Sequence, residues 1–491
     1  MLTPTLDEAR AQADGFTHVP VALELYADLK TPLEVFRSIR DRNQKACILE
    51  SAPDGESWGR HTFLAYAPIL EATGTADGAL IRENGRAESR AGDPGRMLRE
   101  LLRRYRSPRL PDLPFFTGGF VGYFAYEYFC RSEPKLKLTE RDEIGLPDFH
   151  LMLFDKVIAF DHFRQKIFLI VNIGTDRLEK NYDKALETLR DMEKIVLAPP
   201  PPVTVHPPRP AAPYGFRASF SRESFCAAVE KARHYIREGD IFQCVPSIRF
   251  SAPYRSGLLG AYRVLRTNNP SAYMFHICFD DLELAGASPE TLVSLRDGVV
   301  STYPLAGTCP RTEDERETAD LVAQMLADEK ELAEHDMLVD LGRNDLGKIS
   351  RFGSVAVGEY RGVKKLSQVC HIASRVTGRL AEGCDAFDVI AAVLPAGTLS
   401  GAPKKRACEI IDELEGMKRG VYGGAVGYID FTGNMDFCIG IRMAVLKDGV
   451  VHVQAGAGIV EGSVPEKEYE ECRGKARAVL EAVQAGEGGA L

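Results

Sequence analysis

The stretch Pro395–Lys404 reads P-A-G-T-L-S-G-A-P-K, with glycine and proline where a core element would carry periodic apolar residues. Glycine weakens strand interiors and usually marks a turn or a close approach of the backbone to something else. Any one such segment could be a simple turn, but several together indicate a pocket floored by backbone. Five further polar or glycine-rich segments follow the same pattern: G-A-S-P-E (Gly286–Glu290), P-L-A-G-T (Pro304–Thr308), K-E-L-A-E-H-D-M-L-V-D-L-G-R-N-D (Lys330–Asp345), R-G-V-Y-G-G-A-V-G-Y (Arg419–Tyr428) and Q-A-G-A-G-I-V (Gln454–Val460).

Composition narrows the class of protein. The chain has 491 residues, of which 45% are apolar and 27% charged, as in ordinary globular proteins. Its net charge is −9 with scattered basic residues, and no apolar run approaches the roughly 18–20 residues of a membrane span, so we expect neither a nucleic-acid nor a membrane partner. The N-terminus does not resemble a signal peptide. Eleven cysteines without a C-x-x-C pair indicate reduced thiols in the cytoplasm, not disulfides or zinc.

One boundary divides the chain. Residues 199–213 contain eight prolines in fifteen positions, which excludes a helix interior or a central strand and predicts an extended connector. The connector separates residues 1–198 from residues 214–491, which carry the glycine-rich segments.

Hydrophobic periodicity and capping signals predict an α+β fold with large antiparallel sheets. Residues 156–172 predict a hairpin that turns at 161–165. The predicted helices are Ser221–Gly239, one or two over 313–346, and one from a capping box at Ser463–Glu466 through Val483; the predicted strands are 272–279, 292–295, 424–429, 438–445 and 450–455.

The stretch from about Phe216 to Ala482 resembles the chorismate-utilising enzymes, which include anthranilate, aminodeoxychorismate, isochorismate and salicylate synthases. It is most similar to the large components (component I) of anthranilate synthases. The resemblance implies two large, mostly antiparallel β-sheets packed face to face, with helices on the outside. It makes 214–491 a chorismate-binding catalytic half. Residues 1–198 resemble the family's regulatory half more weakly, mainly through I-L-E-S (Ile48–Ser51).

The resemblance implies a Mg²⁺ site. Glu334, in A-E-H, and Glu471, in Y-E-E-C-R, match the family's metal ligands and lie on two different predicted helices, which would have to converge. Magnesium usually takes only one or two protein carboxylates, and the ring carboxylate of the substrate would complete the shell. The spacing of these residues alone indicates only solvated helix faces.

The resemblance also implies a substrate site. Arg442, in I-G-I-R-M on a predicted strand, matches the residue that binds the enolpyruvyl carboxylate, which a planar guanidinium fits with two hydrogen bonds. The alternative for Arg442 is an internal salt bridge. The other positions matched to substrate contacts are Gly307, Thr308, Tyr422, Gly456, Ala457, Gly458 and Lys404.

Three positions match catalytic residues of the family. His371 matches a histidine needed for aromatisation, and Glu290 a general acid for departure of the ring hydroxyl; a shielded carboxylic acid would have the raised pKa that this role needs. Gln243 stands where members that add water have a lysine base, and Ala306 where aminodeoxychorismate synthases often have a lysine nucleophile. Both substitutions favour amination with loss of pyruvate.

A second pocket is implied for tryptophan. Ser51, Ala272, Tyr273 and Met274 match a regulatory site, although Ala272 stands where the family usually has proline. Ser51 would hydrogen-bond the amino acid, and Tyr273 and Met274 would form an apolar wall. The alternative is that these residues only pack two lobes together.

The expected activity is that of a Mg²⁺-dependent lyase in tryptophan biosynthesis. It would convert chorismate and ammonia to anthranilate and pyruvate, under feedback inhibition by tryptophan. The sequence has no G-x-C-x-G nucleophile elbow, so we expect a separate glutamine amidotransferase subunit (component II) to supply ammonia within a hetero-oligomer. The alternatives are an aminodeoxychorismate synthase component I, an enzyme that stops at the aminated intermediate, and a catalytically silent amino-acid-sensing subunit.

Overall fold

The computed structural model describes residues 2–51, 59–75, 77–199, 215–312, 314–365 and 369–487. The predicted connector, apart from Pro199, lies outside them. The α-helices are α1 (Leu6–Gln12), α2 (Pro32–Arg40), α3 (Pro94–Arg103), α4 (Leu178–Leu197), α5 (Arg222–Arg237), α6 (Leu259–Asn268), α7 (Glu315–Ala327), α8 (Glu329–Gly347), α9 (Ala386–Val393), α10 (Lys404–Glu415) and α11 (Pro465–Glu487), with 3₁₀ turns at Tyr126–Arg131 and Gly397–Leu399.

Most strands belong to two large sheets. The strands are β1 (Leu2–Thr3), β2 (His18–Tyr26), β3 (Ala46–Glu50), β4 (His61–Tyr66), β5 (Leu70–Thr75), β6 (Gly78–Glu83), β7 (Arg86–Ala91), β8 (Gly119–Phe124), β9 (Phe149–Phe154), β10 (Lys156–Asp161), β11 (Lys166–Gly174), β12 (Arg217–Ala218), β13 (Gln243–Cys244), β14 (Ser247–Pro253), β15 (Tyr273–Cys278), β16 (Leu282–Ser288), β17 (Thr291–Arg296), β18 (Val299–Thr302), β19 (Leu305–Pro310), β20 (Ala356–Lys365), β21 (Val369–Arg379), β22 (Gly401–Ala402), β23 (Ala425–Asp430), β24 (Met435–Ile439), β25 (Met443–Lys447) and β26 (Val450–Gly456).

The two sheets have twelve strands each. The first runs β1-β2-β11-β10-β4-β3-β15-β16-β25-β26-β14-β12. The second runs β19-β21-β18-β17-β24-β23-β8-β9-β5-β6-β7, with β20 paired to β21, while β13 and β22 form a separate ribbon. The neighbouring strands pair antiparallel, as the predicted fold class requires.

The segments before and after the connector share both sheets. In the first sheet they meet where β3 pairs with β15, in a register that places Glu50 opposite Met274. In the second sheet they meet where β8 pairs with β23, with Gly122 opposite Gly427. We call these two strand pairs the seams. The proline-rich segment therefore divides the chain in sequence, but each half contributes strands to each sheet.

Three apolar layers hold the sheets in place. The layer between the sheets includes Phe116, Tyr123, Phe275 and Tyr428, and its buried members come from strands and loops, not from α-helices. The helices pack on the outer faces, α4 and α11 against the first sheet and α9 against the second. The predicted arrangement of face-to-face sheets with outer helices is confirmed. In the described part of the chain, no helix is long and apolar enough to span a bilayer.

Local predictions were mostly confirmed. The predicted hairpin is β10–β11, and α5 begins after Ser221, whose side chain accepts a hydrogen bond from the Ser224 amide. The acidic stretch 313–346 contains two helices, α7 and α8, because Asp328 ends the first and caps the second. The predicted single strand over 438–445 is wrong, since the chain leaves the second sheet after Ile439 and enters the first at Met443.

Candidate active site

The chain passes from one sheet to the other at two neighbouring points, which we call the crossings. Glu290 lies between β16 and β17, and Arg442 between β24 and β25. The Ile439 amide donates to the Glu290 carbonyl at 3.0 Å, and the Ala287 amide donates to the Arg442 carbonyl at 3.0 Å. Arg442 adopts φ 52°, a left-handed conformation uncommon for a residue with a side chain. Such strain is found at functional sites, where the surrounding structure holds it in place.

The carboxyl group of Glu290 is suited to donate a proton near neutral pH. Burial raises the pKa of Glu290 to about 7, although a hydrogen bond from Thr398 and the charges of Lys475 and Arg442 oppose the rise. The Thr398 hydroxyl donates to Glu290 Oε1 at 3.0 Å. A carboxyl group with this pKa holds its proton at about half occupancy at neutral pH, as a general acid requires.

Cationic groups gather around Arg442. Its guanidinium donates to the carbonyl of Lys475 on α11, and the Lys475 ammonium lies 3.2 Å from the Gly456 carbonyl and 2.7 Å from Glu471. No carboxylate within the described residues forms an ion pair with Arg442, which removes the internal-salt-bridge alternative. Burial lowers the pKa of Arg442, and nearby Tyr422 and Glu471 oppose the effect. The guanidinium therefore offers positive charge to an anionic ligand, whereas the ammonium is paired with Glu471.

The glycine-rich end of β26 lies against two predicted site residues. A Cβ atom at Gly456 would lie 2.9 Å from the Tyr422 hydroxyl, and one at Gly458 would lie 2.8 Å from Gln243 Nε2. Glycine at both positions thus lets these side chains approach the backbone. The Ala457 amide donates to the Pro246 carbonyl at 3.2 Å, so it is already engaged in this conformation.

His371 is held in one tautomer. Its Nδ1 lies 3.0 Å from the Gly307 carbonyl and 3.0 Å from the Thr308 hydroxyl, across the β19–β21 pairing. A carbonyl oxygen only accepts, so Nδ1 carries the proton and Nε2 is left as a proton acceptor. Burial lowers the pKa of His371, which favours this neutral form. Gly307 has φ +67°, a conformation that favours glycine.

Two pairs of glutamates lie one turn apart, Glu331 with Glu334 on α8 and Glu468 with Glu471 on α11. Burial, and next the charge of Glu334, raise the pKa of Glu331. Burial raises the pKa of Glu468, with a further contribution from Glu471, whereas Lys330 on α8 lowers it. The charge of a residue on α8 thus reaches α11, and the binding of one metal ion by Glu334 and Glu471 stays a prediction. Each helix presents carboxylates that repel each other, an arrangement that a cation would stabilise.

Lys404 does not join this cluster. It is held at the start of α10, where its ammonium binds Asp345 at 2.6 Å and the Val393 carbonyl at 3.0 Å, its hydrogen bonds within the described residues. Its predicted contact with substrate stays a prediction. Asp345 lies 59 residues earlier in sequence, so the ion pair arises only from the packing of α8 against the loop before α10.

A buried arginine fixes the backbone of the site. Arg419 donates to the carbonyls of Leu399 at 2.7 Å and Val245 at 2.6 Å, and to Glu415 at 2.9 Å. Its guanidinium also lies 5.6 Å from the centroid of the Tyr422 ring. One side chain thus ties two of the glycine-rich segments to each other and to Val245, which keeps the pocket floor pre-formed.

The comparisons with known proteins agree with this geometry. The family model for chorismate binding enzymes matches residues 45–481. The chain is 42% identical over 493 residues to anthranilate synthase component 1 of Acetivibrio thermocellus, covering 99% of both chains. The chain belongs to the chorismate-binding enzyme family. It is also 43% identical over 481 residues to anthranilate synthase component 1 of Pseudomonas aeruginosa, covering 96% of this chain and 97% of that one.

Solved structures of the chorismate-binding enzyme family share the fold. Anthranilate synthase component I from Streptococcus pneumoniae superimposes with a TM-score of 0.74 at 40% identity, over 86% of this chain and 92% of that chain. The menaquinone-specific isochorismate synthase from Escherichia coli gives a TM-score of 0.70 at 19% identity, over 97% of this chain and 98% of that chain. This similarity shows the fold alone.

Four residues that the sequence analysis missed lie at the site of this chorismate-binding enzyme. Glu331 and Glu468 each precede a predicted metal ligand by three residues, Lys475 follows Glu471 by four, and Thr398 lies in the P-A-G-T-L-S-G segment. Helix spacing alone could have found the first three, because residues three or four apart share a helix face. The contact of Thr398 with Glu290 depends on tertiary packing.

The residues predicted to bind tryptophan lie at the first seam. The β3–β15 register pairs Glu50 with Met274, so Ser51, the next residue, lies beside Tyr273 and Met274 from the other side of the connector. The Ser51 hydroxyl is buried without a hydrogen-bond partner among the described residues. The Tyr273 hydroxyl binds Asp436 at 2.8 Å, which anchors the ring between the sheets.

Proposed function

We propose that this chain is the aminating component of an anthranilate synthase, which converts chorismate and ammonia to anthranilate, pyruvate and water. The observation that carries the proposal is the placement of Glu290 and Arg442 at neighbouring strand crossings, where each alters the pKa of the other and Lys475 lies against Arg442. Full-length similarity to proteins named anthranilate synthase component 1 supports the same reaction.

Chorismate carries two carboxylates, and the site offers two places for negative charge. The guanidinium of Arg442 and the ammonium of Lys475 would bind the enolpyruvyl carboxylate beside the Tyr422 hydroxyl. Ammonia adds to the ring, and the ring hydroxyl leaves as water with the proton of Glu290. His371 Nε2, unprotonated in the observed tautomer, would accept the ring proton as pyruvate is eliminated.

Glu334 and Glu471 would hold a Mg²⁺ ion. The residue type suits this ion, because glutamates supply the hard oxygen ligands that Mg²⁺ prefers, and neighbouring carboxylates on each helix add negative charge. When bound, the ion would act as a Lewis acid on the ring carboxylate. Glu331 and Glu468 would then orient water around the ion.

The proposal also covers the source of the ammonia and the cellular location of the enzyme. The designation component 1 in the relatives' names implies a further component, and we propose that it is a glutamine amidotransferase subunit that supplies ammonia. All eleven cysteines are free thiols, which supports a cytoplasmic location.

A product assay tests the reaction. The purified chain, with chorismate, Mg²⁺ and an ammonium salt, is expected to form fluorescent anthranilate and one pyruvate for each chorismate consumed. Retention of pyruvate in the product would instead indicate an aminodeoxychorismate synthase. A non-aromatic aminated product would indicate that the reaction stops early, and absence of turnover would indicate a sensing subunit.

Gln243 is expected to set the nucleophile. Its amide oxygen is buried with no partner among the described residues, so it can accept a hydrogen bond from ammonia, but it cannot act as a base toward water. We expect Gln243→Lys to lower anthranilate formation and to allow some addition of water to chorismate, measured by chromatography of the products. The control is Gln243→Ala; if both variants aminate at the wild-type rate, the position serves only packing.

Tryptophan is expected to inhibit by binding at the first seam. A ligand there can act only through a difference in affinity between two conformations, so chorismate and tryptophan should weaken each other's binding. We expect Ser51→Phe to keep catalysis with ammonia and to lose inhibition, because the ring fills the pocket. Ser51→Ala, which keeps the space and removes the hydroxyl, should show weakened inhibition. Unchanged inhibition curves for both variants would place the regulatory site elsewhere.

A further inference from the structure

A second group of metal-ligand atoms lies in the first sheet. His276 and Cys278 are two residues apart on β15, and Glu283 on β16 is the register partner of Cys278. His276 Nε2 lies 3.1 Å from Glu283 Oε2 and 3.5 Å from Cys278 Sγ, and the ligand atoms all lie within 4.8 Å of one another. Within the described residues this is the one such group of three or more histidine, cysteine or acidic side chains.

The surroundings of the group are apolar. The imidazole of His276 is fully buried, with the rings of Phe36 and Tyr262 at centroid distances of 5.5 and 5.8 Å. Its Nδ1 has no partner among the described residues. Burying an imidazole, a thiol and a carboxylate in an apolar layer costs free energy unless they are paired. Three such groups on one face of one hairpin would therefore be stabilised by a metal ion that binds all three.

We propose that His276, Cys278 and Glu283 bind a thiophilic divalent cation of the zinc class, at a site separate from the carboxylates of α8 and α11. One nitrogen, one sulfur and one oxygen ligand suit Zn²⁺, which prefers four ligands in a tetrahedral arrangement. A set with thiolate and imidazole ligands does not suit Mg²⁺, which prefers oxygen. The fourth position would be taken by water.

The cation has an entry path. Glu283 borders an open cavity of about 370 Å³, through which a cation can reach it from solvent. In the absence of metal, Arg40 pairs with Glu283 Oε1 at 3.1 Å. The Arg40 side chain is 24% exposed, so its guanidinium can turn to solvent when a cation replaces it.

Binding has a proton signature. A cysteine thiol is ordinarily protonated at neutral pH, whereas zinc binds the thiolate. A glutamate is ordinarily ionised there, and Glu283 already forms an ion pair with Arg40. A bound cation must therefore displace the Cys278 proton, and about one proton should be released for each ion.

Cobalt titration of the full chain tests the site. In excess Mg²⁺, Co²⁺ is expected to produce thiolate-to-cobalt charge-transfer absorption that saturates at one ion per chain and disappears on addition of Zn²⁺. The carboxylates of α8 and α11 contain no sulfur and cannot produce this band. Cys278→Ala should abolish it. Cys47→Ala should retain it, because Cys47 is an equally buried cysteine on the neighbouring strand but lies in the layer between the sheets.

A second measurement uses only the wild-type protein, so its result does not depend on whether a variant folds. X-ray absorption of the zinc-loaded wild-type protein should show one sulfur and otherwise nitrogen or oxygen neighbours, with about one proton released on binding. A first shell without sulfur, or a charge-transfer band of full intensity in Cys278→Ala, overturns the proposal. So does a wild-type chain that gives no band at all.

Discussion

Replacing either proposed magnesium ligand, in Glu334→Gln or Glu471→Gln, is expected to abolish anthranilate formation. The neutral amide leaves one carboxylate to hold the ion, and the ring carboxylate of chorismate would then meet the remaining acidic side chains unscreened. Because a bound cation contributes several kcal/mol of charge stabilisation, kcat/KM should fall by at least about a thousandfold. The measurement is steady-state fluorescence at saturating Mg²⁺.

The fold should survive both substitutions. Without the ion the glutamates of each helix repel one another, so Gln at either position should leave the thermal midpoint unchanged or slightly higher. Glu470→Gln is the matched control, since Glu470 is an exposed neighbour paired with Arg473 at 3.7 Å. The metal assignment fails if the wild-type enzyme turns over normally in a chelator, or if Glu470→Gln is as inactive as the other two.

The proton of Glu290 should set the alkaline limb of the pH profile. Its pKa is raised to about 7 by burial, and the general acid is active only when protonated. At a constant concentration of free ammonia, kcat/KM for chorismate should therefore be level below pH 7 and should fall about tenfold per pH unit above it. Glu290→Gln should lower kcat by about a hundredfold to ten-thousandfold and remove this limb.

Thr398 offers an independent check on that assignment. Its hydroxyl donates to the Glu290 carboxylate and stabilises the charged form. Thr398→Val removes the hydrogen bond, so the pKa of Glu290 should rise and the alkaline limb should move to higher pH with the acid still present. A limb that stays in place in Thr398→Val and in Glu290→Gln would show that another group controls it.

Local signals in the sequence predicted most of the helices and strands but few of the tertiary contacts between them. The serine at 221 and the acidic run before Leu346 mark helix starts because capping is a contact between near neighbours. Glu334 and Glu471 were placed on separate helices, yet nothing in the spacing required those helices to converge. The family resemblance alone supplied that expectation.

One error has a tertiary origin. The apolar run around Arg442 resembles one strand, but the chain changes sheets there, beside the neighbouring crossing at Glu290. The ion pair of Lys404 with Asp345 was likewise not foreseen, because its partner comes from a distant helix. The group at His276, Cys278 and Glu283 was missed for a related reason: a metal search by C-x-x-C spacing cannot recognise ligands that a β-hairpin register brings together.

The seams have a consequence for the order in which the chain is made. On the ribosome, Ala46–Glu50 and Gly119–Phe124 emerge long before Tyr273–Cys278 and Ala425–Asp430, the strands that cover their open edges. Nascent chains usually fold from the N-terminus one domain at a time, but here the early half has no closed sheet to complete. Its unpaired strand edges invite association with other nascent chains. Synthesis of this protein should therefore depend on chaperones until the last strands of both sheets have left the ribosome.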